Sequence, residues 1–153
     1  MGVIDKLNWL MVIPARLNSK RLPRKPLIEI AGKTIIERTY QRAIKAIKDT
    51  SKIVIATDSR EIMKHCEGFG SQVCMTSPNC LTGTDRVAEV SKYIKADQYI
   101  NLQGDEPIFP INELQEFIKQ VNVNNNYVFQ PRLQCIWLSK LKAFLYLTRS
   151  LVA

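Results

Sequence analysis

The sequence predicts an α/β protein, a mostly parallel sheet with helices on both faces. Three observations carry this. Short apolar runs at Trp9–Ile13, Lys52–Thr57, Ser71–Met75 and Gln98–Leu102 have the length of buried strands. The segments between them repeat apolar residues at three- and four-residue spacing, the signature of a helix with one buried face. The connections are short, and strands that alternate with helices run parallel, joined by right-handed crossovers.

The elements follow in order. Trp9–Ile13 is the first strand, ended by Pro14 and followed by a polar loop. Leu27–Ile30 is a short extended run and Ala31-Gly32-Lys33 a turn. Thr34 with Glu37 has capping-box spacing, so a helix runs from Ile35 to about Ile47, with Ile36, Tyr40, Ala43 and Ile44 on its inner face. Lys52–Thr57 is the second strand, apolar enough to be covered on both sides. Asp58-Ser59 opens a helix over Arg60–Glu67, which Gly68 or Gly70 ends. Ser71–Met75 is the third strand, and Thr76–Thr82 a polar loop. A helix over Arg86–Ile94 precedes the fourth strand, Gln98–Leu102. Ile111–Val121 is helical, Asn122–Asn126 is a low-complexity turn, and Phe144–Thr148 is a candidate last strand.

Composition narrows the function. The 153 residues suffice for one domain with a hydrophobic core, here 9–122, followed by a poorly patterned segment, 123–153. No apolar run approaches the roughly 20 residues of a membrane span, and the start of the chain does not resemble a secretory signal, which predicts a cytoplasmic protein. Cys66, Cys74, Cys80 and Cys135 form no CxxC pair and His65 is the lone histidine, which argues against structural zinc. His65 and Cys66 are sequence neighbours, so on a helix they point apart and make a poor nucleophile pair. The net charge of +8 invites a nucleic-acid reading, but no RNA-binding, zinc-finger or aromatic-interleaved basic motif supports it.

Three stretches carry candidate chemistry. The loop after the first strand holds Arg16, Lys20, Arg21, Arg24 and Lys25 on a backbone stiffened by Pro14, Pro23 and Pro26. Loops at the carboxyl ends of parallel strands bind ligands, and five cations there suit a polyphosphate. Asn101-Leu-Gln-Gly-Asp-Glu-Pro107 puts Asp105 and Glu106 on the same rim, where carboxylates opposite a polyphosphate suit Mg²⁺. Gly104 in this stretch permits close approach of the backbone to a ligand. Leu81-Thr-Gly-Thr-Asp-Arg86 offers hydroxyls and N–H groups at a helix start. Neither a dinucleotide fingerprint nor a P-loop is present.

Together Pro14–Leu27, Ala56-Thr-Asp58, Thr82–Val90 and Asn101–Pro107 closely resemble the 3-deoxy-manno-octulosonate (Kdo) cytidylyltransferases. The acylneuraminate cytidylyltransferases share the first motif only loosely. The resemblance implies a Rossmann-like, GT-A-like nucleotidyltransferase. It joins CTP to Kdo for lipopolysaccharide biosynthesis by in-line attack of the sugar's anomeric hydroxyl on the α-phosphate, releasing pyrophosphate. It implies that Arg16 and Lys25, with Pro14, Ala15, Ser19 and Arg21 beside them, hold the triphosphate. Thr82, Gly83 and Arg86 lie at the nucleotide or its sugar partner, Gln103 near the reacting groups, and Asp105 binds Mg²⁺. Arg16, Lys25 and Asp105 are the catalytic set, with Asp58 in a supporting role. Relatives of this type form homodimers.

The chain also departs from the pattern. Members of that family are longer, with a second metal-binding Asp and most of the sugar-acid pocket further along, whereas no acidic residue follows Glu116 here. Leu145–Val152 is similar to a segment that comes later in the family. The expectation is a truncated, internally deleted or frame-shifted copy that binds CTP better than it turns it over. A non-catalytic nucleotide-binding remnant is the alternative.

Overall fold

The protein's structure, a computed structural model, describes residues 7–18, 22–123 and 143–146. Along the chain the strands and helices are β1 (Leu7–Ala15), β2 (Glu29–Ile30), β3 (Lys33–Thr34), α1 (Ile35–Ile47), β4 (Ile53–Thr57), α2 (Arg60–Gly68), β5 (Gln72–Met75), α3 (Gly83–Tyr93), β6 (Ala96–Leu102), α4 (Ile111–Val123) and β7 (Ala143–Tyr146). The main sheet has the order β5-β4-β1-β6-β7. Its first four strands are parallel, and β7 joins β6 antiparallel, pairing Asn101 with Phe144. The expected last strand is therefore present at Ala143–Tyr146, while Thr148 lies outside the described residues.

The period-2 geometry of β1 sends alternate side chains to two cores. Trp9, Met11 and Ile13 point to the face covered by α1, α2 and α4, where Tyr40, Ile62 and Phe117 meet them. Leu10 and Val12 point to the other face, covered by Val87 and Val90 of α3. Every residue of β4 is buried, as its unbroken apolar run requires of a strand covered on both faces.

Strand addition runs β1, β4, β5 in one direction, and the chain then crosses back through α3 to place β6 on the opposite side of β1. β1 and β6 are neighbours in space but far apart in sequence. A crevice outside the carboxyl ends of two such strands is where open α/β sheets bind ligands.

Three local features differ from the sequence expectations. Pro14 does not end β1 but lies within it, opposite Ala56. Pairing of β1 toward β6 has already stopped at Val12, so a residue without an N–H is tolerated there. The stretch after Lys25-Pro26-Leu27, a single 3₁₀ turn, makes a tight hairpin of β2 and β3. Its two turn residues, Ala31 and Gly32, have φ of 48° and 74°, the positive pair that matches strand twist. Finally, α3 begins at Gly83, three residues before the expected Arg86. Thr82 and Asp85 form a full capping box, which lets the helix start at a glycine.

The N-cap expected for α1 is present. Thr34 Oγ1 accepts the Glu37 N–H at 3.3 Å and shares a 2.7 Å hydrogen bond with His65 Nε2. His65 is thus occupied in capping α1. Cys66 is buried, and desolvation pushes its thiol up to about 12, which makes it core rather than nucleophile. Among the described residues no group of three or more His, Cys, Asp or Glu could hold a metal, and no helix is long and apolar enough to cross a membrane.

Candidate functional site

At the carboxyl ends of β1 and β6 opens a cavity of about 230 Å³. The end of β1 and the chain leaving it supply Pro14, Arg16, Lys25 and Pro26, the loop after β6 supplies Gln103, Gly104 and Asp105, and α3 supplies Gly83 and Arg86. Three stretches distant in sequence therefore meet at the crossover point of the sheet.

The cationic wall is a loop closed on itself, since Arg24 donates its N–H to the Leu17 carbonyl at 2.9 Å. Arg24 takes a left-handed φ of 58°, and the 3₁₀ turn that follows, with Pro26 in its first turn, aims Lys25 across the cleft. Lys25 Nζ lies 2.6 Å from Asp105 Oδ2. Arg16 Nη1 donates to the Leu81 carbonyl at 3.0 Å, so both cations span the cavity. Arg24 is turned away from it and pairs with Glu61 of α2. Ser19, Lys20 and Arg21 lie outside the described residues.

The opposite wall is built on backbone. A Cβ at Gly104 would lie 2.6 Å from the Pro14 carbonyl oxygen and 3.2 Å from Ile36 Cδ1. Gly104 lines the cavity and also sits close against the end of β1. Its carbonyl accepts from the buried Thr39 Oγ1 at 3.1 Å, which ties the loop to α1. A Cβ at Gly83 would lie 3.1 Å from Pro14 Cγ. Pro14 is thus wedged between two glycines, and this contact sets how near α3 and the β6 loop come to β1.

Three side-chain clusters hold α3. In its first turn Asp85 N–H donates to Thr82 Oγ1 at 3.1 Å and Thr82 N–H to Asp85 Oδ2 at 2.8 Å. The Thr82 bonds hold the Asp85 carboxyl below its ordinary value. Arg86 is 2% exposed, and its Nη2 donates to Asp58 Oδ2 at 2.8 Å and its Nη1 to Thr76 Oγ1 at 2.5 Å. One turn on, Glu89 accepts the Ser77 N–H at 2.9 Å and faces Cys80 Sγ at 2.9 Å. The Cys80 bond holds Glu89 low, while burial, with Glu89 beside it, pushes the Cys80 thiol up to about 11.

Of the residues singled out in the sequence, Pro14, Arg16, Lys25, Gly83, Arg86, Gln103 and Asp105 line the cavity. Ala15 is buried on the core side of β1, and the Thr82 side chain is spent on its cap. Asp105 is on the wall, but Glu106 is not among the lining residues. Sequence reasoning missed Pro26 as a lining residue, the Thr39 tether and the part of Asp58 as the partner of Arg86. Thr39 and Asp58 each act across long sequence separations, which no local pattern reveals.

The sequence and the fold both have counterparts among known proteins. A family model described as Cytidylyltransferase matches residues 10–142. The chain is 40% identical over 122 residues to the 3-deoxy-manno-octulosonate cytidylyltransferase of Saccharophagus degradans, covering 78% of this chain and 47% of that protein. The protein of the same name from Pelodictyon phaeoclathratiforme is 47% identical over 98 residues, 64% of this chain and 39% of that one. Among solved structures, a CMP:2-keto-3-deoxy-manno-octonic acid synthetase complexed with CTP superposes with a TM-score of 0.69 at 36% identity, over 76% of this chain and 48% of the other. A cytidylyltransferase from Leptospira borgpetersenii shares the fold at 21% identity, with a TM-score of 0.67 over 78% of this chain and 51% of that one. The chain spans about half the length of the relatives it matches. It belongs to the cytidylyltransferase family, with the Rossmann-like nucleotidyltransferase fold.

Proposed function

We propose that the cavity between the ends of β1 and β6 binds CTP as its magnesium complex, and that the chain serves the transfer of CMP to Kdo. The observation that carries this reading is the confrontation of Arg16 and Lys25 with Asp105 across one cleft. Two cations on a proline-stiffened loop suit the β- and γ-phosphates of a nucleoside triphosphate, and one carboxylate opposite suits the ion that travels with it.

Asp105 fits Mg²⁺ by its chemistry. It is a hard oxygen donor with a half-exposed side chain on the cavity wall, and Mg²⁺ is held by one or two carboxylates, phosphate oxygens and water rather than by a protein cage. The ion would neutralise charge on the triphosphate. Lys25 exchanges Asp105 for phosphate oxygens when CTP enters, and Arg16 stands on the same side of the cleft. Thr82, Gly83 and Arg86 form the wall on the side of the nucleotide or its sugar partner, and Gln103 stands near the α-phosphate. Pro14 and Ala15 fix the start of the loop, and Ser19 and Arg21 belong to the triphosphate side.

In the transfer the Kdo anomeric oxygen forms a bond to the α-phosphorus and gives its proton to water, the bond from the α-phosphorus to the α–β bridging oxygen breaks, and pyrophosphate leaves with that oxygen. The protein's part is positioning and charge neutralisation, which supply most of the catalysis in such reactions. The place of this reaction is lipopolysaccharide precursor synthesis in the cytoplasm.

Calorimetry with CTP and Mg²⁺, alongside a pyrophosphate-release assay with Kdo, tests the reading. Saturable binding that needs both CTP and Mg²⁺ and is lost in Lys25→Met supports it. No binding of CTP, or equal binding of all four nucleoside triphosphates, contradicts it. Binding without pyrophosphate release favours a nucleotide-binding protein over an enzyme.

A further inference from the structure

An arginine on the wall of a polyphosphate site is ordinarily read as an anion ligand. The contacts of Arg86 point elsewhere. We propose that Arg86 is a positioning residue, whose guanidinium bridges Asp58 and Thr76 to set the first turn of α3 against Pro14, and that it makes no charge contact with the bound nucleotide. The inference rests on the nucleotide reading of the cavity and assigns Asp58 and Thr76 a part in it.

The geometry assigns this role step by step. The Arg86 side chain is 3% exposed and that of Asp58 19%, so the positive charge is matched inside the protein rather than presented to the cleft. Asp58 follows β4 directly and Thr76 follows β5, so one guanidinium ties the carboxyl ends of two strands to a helix on the opposite side of the chain reversal. Those ends are themselves fixed together, because the Thr76 N–H donates to the Thr57 carbonyl at 2.8 Å. A planar fork reaching two acceptors at fixed angles is a task for arginine and not for lysine.

From Arg86 the constraint passes down one helical turn. The Arg86 N–H reaches the Thr82 carbonyl at 3.4 Å, and Gly83 between them packs on Pro14. The apolar contacts of Val87 and Val90 hold the body of α3 to the sheet. They leave the tilt of its first turn to Arg86 and the capping box. Because Arg16 bonds to the Leu81 carbonyl just before that turn, moving Gly83 also moves a cation of the site.

The test is a double-mutant cycle with Asp58→Asn and Arg86→Met, singly and together, on protein shown to be folded by circular dichroism. Two readouts are taken: the affinity for Mg·CTP by calorimetry, and amide hydrogen exchange across the first turn of α3. The proposal predicts that each single change weakens CTP by about tenfold and that the double variant is no weaker than either, as for two groups acting through one contact. It also predicts that exchange rises more at residues 82–86 than the lost stability raises it across the sheet, and recovery of neither property in Arg86→Lys.

A direct phosphate contact predicts the reverse at Asp58: the asparagine frees the guanidinium, and affinity is unchanged or tighter while Arg86→Met loses it. That result overturns the proposal. So does an unchanged affinity with a lowered melting temperature and exchange raised throughout the sheet, the pattern of a merely structural pair. If the unaltered chain binds no Mg·CTP, the nucleotide reading fails, and the exchange pattern alone decides whether Arg86 positions α3. Should Asp58→Asn not fold, Thr76→Val removes one acceptor without burying a charge, and the same two readouts apply.

Discussion

The two walls of the cleft are made differently. The α3 and β6 wall is fixed by backbone: two glycines press on Pro14, Thr39 holds the Gly104 carbonyl, and a buried arginine is matched by Asp58. The β1 wall presents long side chains, Arg16 and Lys25, which reach across to a carbonyl and a half-exposed carboxylate. Buried contacts of the first kind are costly to break, because they leave clashes or unmatched charges. Partly exposed ion pairs of the second kind contribute little to stability, about 0–1 kcal/mol. The difference separates scaffold from ligand-exchanging groups. One wall sets the shape of the site, and on the proposed reading the other trades its internal partners for phosphate at small cost.

Mutations should divide along that line. Asp58→Asn, which leaves the buried Arg86 charge unmatched, is expected to cost the most stability, about 3 kcal/mol by denaturant unfolding. Gly104→Ala comes next, at about 2 kcal/mol, because its Cβ would meet the Pro14 carbonyl oxygen at 2.6 Å and neither backbone can yield freely. A value near zero would show that the β6 loop is not held against β1.

Thr34→Ala, remote from the cleft, removes the cap of α1 and is expected to cost about 1 kcal/mol, with no change in nucleotide affinity beyond that of a distant site. Lys25→Met should cost less than about 1 kcal/mol of stability, since its side chain is 34% exposed, yet weaken CTP binding strongly. Large stability loss at Lys25 would erase the distinction between the walls.

The smallest effect concerns pH. Asp85 and Glu89 both titrate below their ordinary values of 3.8 and 4.5, the first through Thr82 and the second through Cys80. Groups with lowered values stabilise the fold above the ordinary range, and that contribution is lost as pH falls through the lowered values. The amide signals of Thr82 and Ser77, which donate to these carboxylates, should therefore shift in the acid limb before the sheet unfolds. Shifts that appear only with global unfolding would contradict it.

Much of this was legible in the sequence, and the reasons are local. The period of the apolar residues gave α1 its true bounds, Ile35–Ile47, and the unbroken run at Lys52–Thr57 marked a strand covered on both faces. The motif residues Pro14, Arg16, Lys25, Gly83, Arg86, Gln103, Gly104 and Asp105 do converge on one cavity. What was not legible depends on contacts between distant segments. Pro14 reads as a strand end, and only the early end of pairing with β6 shows why it continues the strand. Gly104 reads as a close approach to a ligand; it lines the cavity, and its packing against the Pro14 carbonyl is a contact no local pattern reveals. Arg86 reads as a residue at the nucleotide or its sugar partner, and its buried pairing with Asp58, 28 residues away, has no local signal.

The central claim is that the cleft between β1 and β6 is a Mg·CTP site whose phosphate grip resides in Arg16 and Lys25. It is tested most directly by titrating CTP, with and without Mg²⁺, into the unaltered chain and into Arg16→Met and Lys25→Met. The account predicts magnesium-dependent binding to the unaltered chain and a loss of tenfold or more, roughly, in each variant, with the fold intact. CTP affinity that is unchanged in both variants would contradict it.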